Sequence, residues 1–191
     1  MGWSKANLWD TTRAKQIARE IANIGGYCGP AVVVWIAAVW NLHQGRNYDY
    51  ENRLKNKSLF PDGPRRFFGR GPGFERSLND ILKRETNNEL RLAGATYYRY
   101  STIHKRLEDY DMPIIIRMLS PSFTDGLHYT ALYKSYKQER QWQVDRIKFY
   151  WMDNGVYGRR NSGNPGLYVT GYRNVGYNVF TFGTKLVRRN T

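Results

Sequence analysis

A single cysteine, Cys28, stands where the glycine-rich turn "GGYCG" passes into the apolar run "PAVVVWIAAVW". A thiol at a helix N-terminus lies beside free backbone N–H groups and the positive end of the helix dipole, and both favour thiolate over thiol. The same N–H groups can face the oxyanion that forms when a thiolate attacks a carbonyl. Gly25, Gly26 and Gly29 would let a substrate backbone come close to it. The plain alternative is a small buried hydrophobe that happens to begin a helix.

A nucleophile of this kind needs a base, and the chain has 3 histidines. His43 falls on the same expected helix as Cys28, too far along it to reach back. His104 lies in the charged stretch "STIHKRLEDYD" and reads as a solvated side chain. His128 opens the expected strand "HYTALY" directly after the turn-rich "SPSFTDG", a place where a side chain is well held yet accessible. The base needs an orienting partner in turn. The following strand, "KFYWMDNG", ends in Asp153 and Asn154. In an antiparallel pair the end of one strand lies beside the beginning of the one before it, so either residue can meet His128. Neighbouring residues point to opposite faces, so only one of them should. A plain Asp-Asn-Gly turn is the competing reading.

The elements that would position these groups follow from patterning. Asp10 or Thr11 caps an expected helix running through Ile24, with Ile17, Ile21 and Ile24 at helical spacing. Gly25-Gly26 ends it, and Cys28-Gly29-Pro30 opens a second helix with Pro30 in the first turn. That helix is apolar on every side and should be central and buried. From Gln44 to Gly73 the chain turns polar, basic and rich in Gly and Pro, an irregular crossing or lid. "FERSLNDILKRETNNEL" is expected to be helical, and "STIHKRLEDYD" a short helix. Beyond Pro113, "MPIIIRML", "HYTALYKSY", "RIKFYWMDN", "GLYVTGYRN" and "NVFTFGTKLVRR" are β-branched and aromatic runs divided by turn residues, hence strands. A helical part over about 1–110 and an antiparallel sheet over about 111–191 give one α+β domain, the central helix lying on the sheet.

The totals bound the class. A chain of 191 residues can bury a core without metal or disulfide staples, and a lone cysteine forms no internal disulfide. The longest apolar run, Pro30 to Trp40, is too short to span a bilayer. "MGWSKANLWD" lacks the pattern of a secretory signal and of N-myristoylation. Net charge is +14, with basic clusters at Arg65-Arg66, Arg159-Arg160 and Arg188-Arg189. Such an excess attracts nucleic acid, an anionic surface or an acidic protein.

The order Cys, His, Asp/Asn, with the thiol on a leading helix and the others on a following sheet, resembles the papain-like cysteine peptidases, and most closely their bacteriocin-processing, C39-like branch. The residues carrying the resemblance are Cys28-Gly29-Pro30-Ala31, Met112-Pro113-Ile114-Ile115, His128-Tyr129 and Trp151-Met152-Asp153, within roughly Ile17 to Gly155. It implies a papain-like α+β fold with Cys28 as nucleophile, His128 as general base and then acid, and Asp153 as orienting residue. Asn154 is the alternate for that last role. The family usually sets a Gln six residues before the Cys to donate to the oxyanion. Ala22 stands there in this chain, and Asn23 carries the same amide on a shorter arm. Tyr27, Gly29, Tyr129 and Trp151 would line a substrate cleft, narrow enough to suit the double-glycine sites that such peptidases favour. The chemistry calls for neither metal nor cofactor.

A compact basic peptidase of this type, with no transporter portion, is similar to the toxin domains that bacteria deliver into rivals, often by type VI secretion. The resemblance thus implies action in the target cell's cytoplasm on a protein substrate, and a cognate immunity protein, expected to be acidic. Two other functions stay open. The same triad could serve an amidase, deamidase or transglutaminase, or the chain could be a basic nucleic-acid-binding domain without catalysis; for a peptidase, nucleic acid would be a secondary partner.

Overall fold

A helix with apolar side chains all round can be accommodated only by being enclosed, and α2 (Cys28–His43) is enclosed. Val32 through Ala38 are fully buried, and Val39 and Trp40 nearly so. Around it pack α1 (Thr12–Ile24), the short α3 (Tyr50–Lys55), α4 (Pro72–Glu85) and the strand β4 (Leu127–Gln138). The structure is a computed structural model. It describes residues 2–24, 28–55, 72–96, 104–105, 107–109, 111–119, 127–138, 146–152, 166–170 and 182–188. At 2, 22–24, 28, 72–77, 93–96, 116–119, 127–129, 138, 146–151, 166–170 and 182–188 it describes the backbone alone.

Of the two capping candidates for α1, Thr11 takes the role: its Oγ1 accepts from the Ala14 N–H at 3.1 Å. Asp10 instead faces Lys15 and Lys134, at 2.7 and 3.2 Å. Ala14, Ile17, Ala18 and Ile21 form the buried stripe of α1. The Trp35 indole donates from this side of α2 to the Ala14 carbonyl at 2.8 Å, fixing the two helices against each other. Near the far end of α2, Trp40 stacks on Trp9, with ring centroids 6.4 Å apart.

Among the described residues the strands form one seven-stranded sheet in the order β2-β7-β3-β4-β5-β6, with β1 also on β4. Every pairing is antiparallel. β3 (Ile114–Leu119), β4, β5 (Arg146–Trp151) and β6 (Gly166–Thr170) are successive neighbours, a meander formed by runs expected to be strands. β7 (Phe182–Arg188) crosses back to lie between β2 (Leu90–Thr96) and β3. α2 lies against β4, with the Trp35 and Tyr133 rings 6.2 Å apart. The architecture is therefore helices on an antiparallel sheet, α+β as expected. Among the described residues no helix is long and apolar enough to cross a membrane.

The structure departs from the sequence expectations at four places. The first is β1 (Gly2–Lys5), which patterning did not mark as a strand. It exists because β4 is twice as long as β3, and β1 pairs with the residues that β3 leaves over, Ser4 opposite Ser135. The second is the end of α4, which stops at Glu85 rather than continuing through Leu90. Asn87 and Asn88 adopt φ of 51° and 62°, a left-handed turn that Asn tolerates and that closes a helix. Thr86 secures the turn, its hydroxyl donating to the Leu82 carbonyl and accepting from the Leu90 N–H. The third is β2 itself, whose "LRLAGAT" is poor in β-branched residues; the register with β7 skips Gly94, a bulge at the glycine. The fourth is α3, within the segment read as an irregular crossing, where Asp49 Oδ1 caps by accepting from the Asn52 N–H at 3.1 Å. Two strands thus come from the first 110 residues, so the division into a helical and a sheet part is not clean.

Candidate functional site

Cys28 is the first residue of α2, and Pro30 is its third, where a missing N–H costs nothing. Gly29 is buried directly behind Cys28. The helix cannot shift easily, because its body is packed on every side and tied through Trp35 to α1. Cys28 therefore sits at the N-terminal end of a fixed dipole, beside the first-turn N–H groups that have no partner within the helix.

His128 is the second residue of β4 and stands opposite Met118 of β3. On its other side β4 pairs with β5, Leu132 opposite Trp151. The chain leaving β5 stays beside β4 for one more residue. The Met152 N–H donates to the Ala131 carbonyl at 2.8 Å, and the Thr130 hydroxyl donates to the Met152 carbonyl at 2.9 Å. The end of β5 thus comes to the beginning of β4, two residues from His128, as antiparallel pairing requires. Alternation puts position 128 in the row of Thr130 and Leu132, whereas the core shared with α2 takes Ala131, Tyr133 and Ile115. A meeting of residues 28 and 128 would accordingly have to occur around the end of the sheet rather than across its helix-covered face.

Tyr27, Asp153 and Asn154 lie outside the described residues, and for Asn23, Cys28, His128, Tyr129 and Trp151 only the backbone is described. Asn23 is in the last turn of α1, Tyr129 follows His128 in β4, and Trp151 is the last residue of β5.

Two side-chain clusters went unrecognised in the sequence. His104, expected to be solvated, is held between strands: Ser4 Oγ lies 3.2 Å from its Nε2 and Ser135 Oγ 2.8 Å from its Nδ1. Both serines are buried, at 2% and 0% exposure, so neither hydroxyl is open to a substrate. The only signal in the sequence was the small polar residue in each strand, which is weak. The second cluster surrounds Glu85, whose side chain is 2% exposed. The Tyr48 hydroxyl donates to it at 2.8 Å, and Arg53 and Arg84 approach at 3.3 and 3.2 Å. Burial first, then the charge of Glu85 and its hydrogen bond, push the Tyr48 hydroxyl far above its ordinary range, so it is a donor and not a base. Beside it a cavity of about 340 Å³ is lined by Asn47, Tyr48, Asp49, Asn52 and Arg53. Next along the chain, Arg46 grips both oxygens of Glu89, which also accepts from the Trp40 indole at 2.6 Å. The Arg46 contact holds the Glu89 carboxyl below its usual range. These groups link α2, α3 and α4 and have the character of structural ties.

Among the described residues no three His, Cys, Asp or Glu side chains gather as a metal site would need. No protein-family model matches the chain, and no match was found among curated proteins.

Proposed function

We propose that the chain is a cysteine endopeptidase of papain-like plan. The observation that supports this reading best is topological. A cysteine begins a buried helix packed on β4, a histidine is the second residue of that same strand, and the strand after it ends beside the first residues of β4. In the proposed reaction the Cys28 thiolate attacks a peptide carbonyl carbon, and its electron pair moves to the oxygen. N–H groups at the start of α2, with the Asn23 amide, receive that charge. The C–N bond then breaks as the His128 imidazolium gives its proton to the leaving amine. Water, losing a proton to His128, attacks the thioester and releases the acid and the thiolate. Asp153, or Asn154 in its place, orients the imidazole.

Tyr27, Gly29, Tyr129 and Trp151 are assigned to the cleft, with preference for a double-glycine site. From the resemblance the reading extends to a toxin delivered into a rival's cytoplasm, restrained at home by an immunity protein. A net charge of +14 makes that inhibitor acidic.

The test is to express the parent and Cys28→Ala in the cytosol of a susceptible bacterium, score survival, and compare protein termini by mass spectrometry. New peptide ends and loss of viability with the parent alone are the expected result, and His128→Ala should match Cys28→Ala. Equal killing and equal termini with Cys28→Ala overturn the proposal. Released ammonia or new cross-links, without new ends, would assign the same thiol to side-chain amides instead.

A further inference from the structure

β4 carries an irregularity that changes what each face of the sheet presents. Leu132 lies opposite Trp151, but Lys134, two residues on, lies opposite Tyr150, only one residue back. One extra residue exchanges the faces of a strand. Ala131 and Met152 belong to the core shared with α2. On that same side, beyond the bulge, the row continues with Lys134 and Tyr136.

The register then defines two rows across the sheet. One runs Trp3, Tyr136, Lys148, Tyr168 over β1, β4, β5 and β6; the next runs Lys5, Lys134, Tyr150, Gly166. The described side chains bear out the shared face. The Trp3 and Tyr136 rings are 4.8 Å apart, and Lys134 Nζ stands 4.2 Å from the Trp3 ring centroid. Lys134 also reaches Asp10, just before α1. Trp3 is 47% exposed, the large apolar side chain left outside among the described residues.

We propose that these rows form a platform for single-stranded nucleic acid, with bases stacking on Trp3 and Tyr136 and phosphates meeting Lys5 and Lys134. An acidic protein surface would need only the cations. An aromatic and a cationic position side by side on each of β1, β4 and β5, with Tyr168 on β6, answer both the flat faces and the charged backbone of a single strand. A duplex keeps its bases stacked on one another and offers no such faces. The net charge of +14 supplies the release of counterions that drives such binding.

The test uses the Cys28→Ala protein, so that its outcome is independent of the peptidase reading. A labelled oligothymidylate of about twelve nucleotides is titrated by fluorescence anisotropy at several salt concentrations. Binding that weakens with salt is expected, stronger than for a duplex of the same length. Trp3→Ala should weaken it about tenfold, within the range for losing one stacking partner. Trp3→Phe, which keeps a ring, should retain most of the affinity. The proposal falls if the oligonucleotide does not bind, if Trp3→Ala binds like the parent, or if the duplex binds equally well. It falls too if polyglutamate displaces the oligonucleotide at equal charge, which would make the face an acidic protein's.

Discussion

Tyr48 keeps its proton against both a rising pH and a neighbouring carboxylate, and that has a measurable consequence. The folded chain holds a proton that the unfolded chain gives up near the ordinary tyrosine value of 10.0. Its contribution to stability is therefore complete below that pH and is lost as the pH climbs beyond it. Tyr48→Phe should remove this alkaline decline, read as a flatter dependence of the urea midpoint on pH above 10. At neutral pH the variant should lose about 1–3 kcal/mol, because a buried carboxylate is left short of a donor. Cys28 and His128 stand out in the sequence by type and position, and they lie at the head of α2 and near the start of β4. The partners of Glu85 could not: Tyr48 is 37 positions away along the chain, and nothing local marks it. His104 was misjudged because its charged neighbours suggested water. The serines that hold it are 100 and 31 positions distant and meet only through strand pairing.

Elements with their own period were legible, and elements made by their neighbours were not. α1, α2 and the strands β3 to β6 announce themselves by stripes, caps and β-branched runs. β1 has 4 residues and exists because part of β4 lacks a partner on that edge. It is fastened by three further ties: the Ser4–His104 contact, the Ala6 N–H to the Tyr133 carbonyl at 2.8 Å, and the Asn7 N–H to the Asp111 carboxylate at 2.6 Å. Ser4→Ala removes one of these, taking the hydroxyl away from the half-buried His104 ring. Amide exchange over β1 should then quicken by roughly tenfold, as loss of about 1 kcal/mol or more from local opening implies, while α2 stays protected. Unchanged exchange at β1 would mean that the backbone ladder alone holds it. The candidate site was legible to the same extent as its elements. Chain order and strand alternation bring the end of β5 toward His128, but nothing in the sequence signals the bulge after Leu132 that exchanges the faces beyond it.

At the scale of the molecule, the sheet depends on its last described strand. β7 supplies the partner for both β2 and β3, so its removal would split the sheet and bare two edges at once. A chain ending after residue 181 should lose its cooperative thermal transition and aggregate, as checked by calorimetry and light scattering. A sharp melt near the parent's would show the remaining strands to be self-sufficient. The same arrangement bears on how the protein is made. A ribosome delivers the chain at about 5–20 residues per second, so β2 waits on the order of five to twenty seconds for residues 182–188 to emerge. During that interval the nascent protein has its helices but an unfinished sheet, and a chaperone or a second nascent chain can reach the vacant edges first. The window for misassembly therefore closes only once residues 182–188 have emerged.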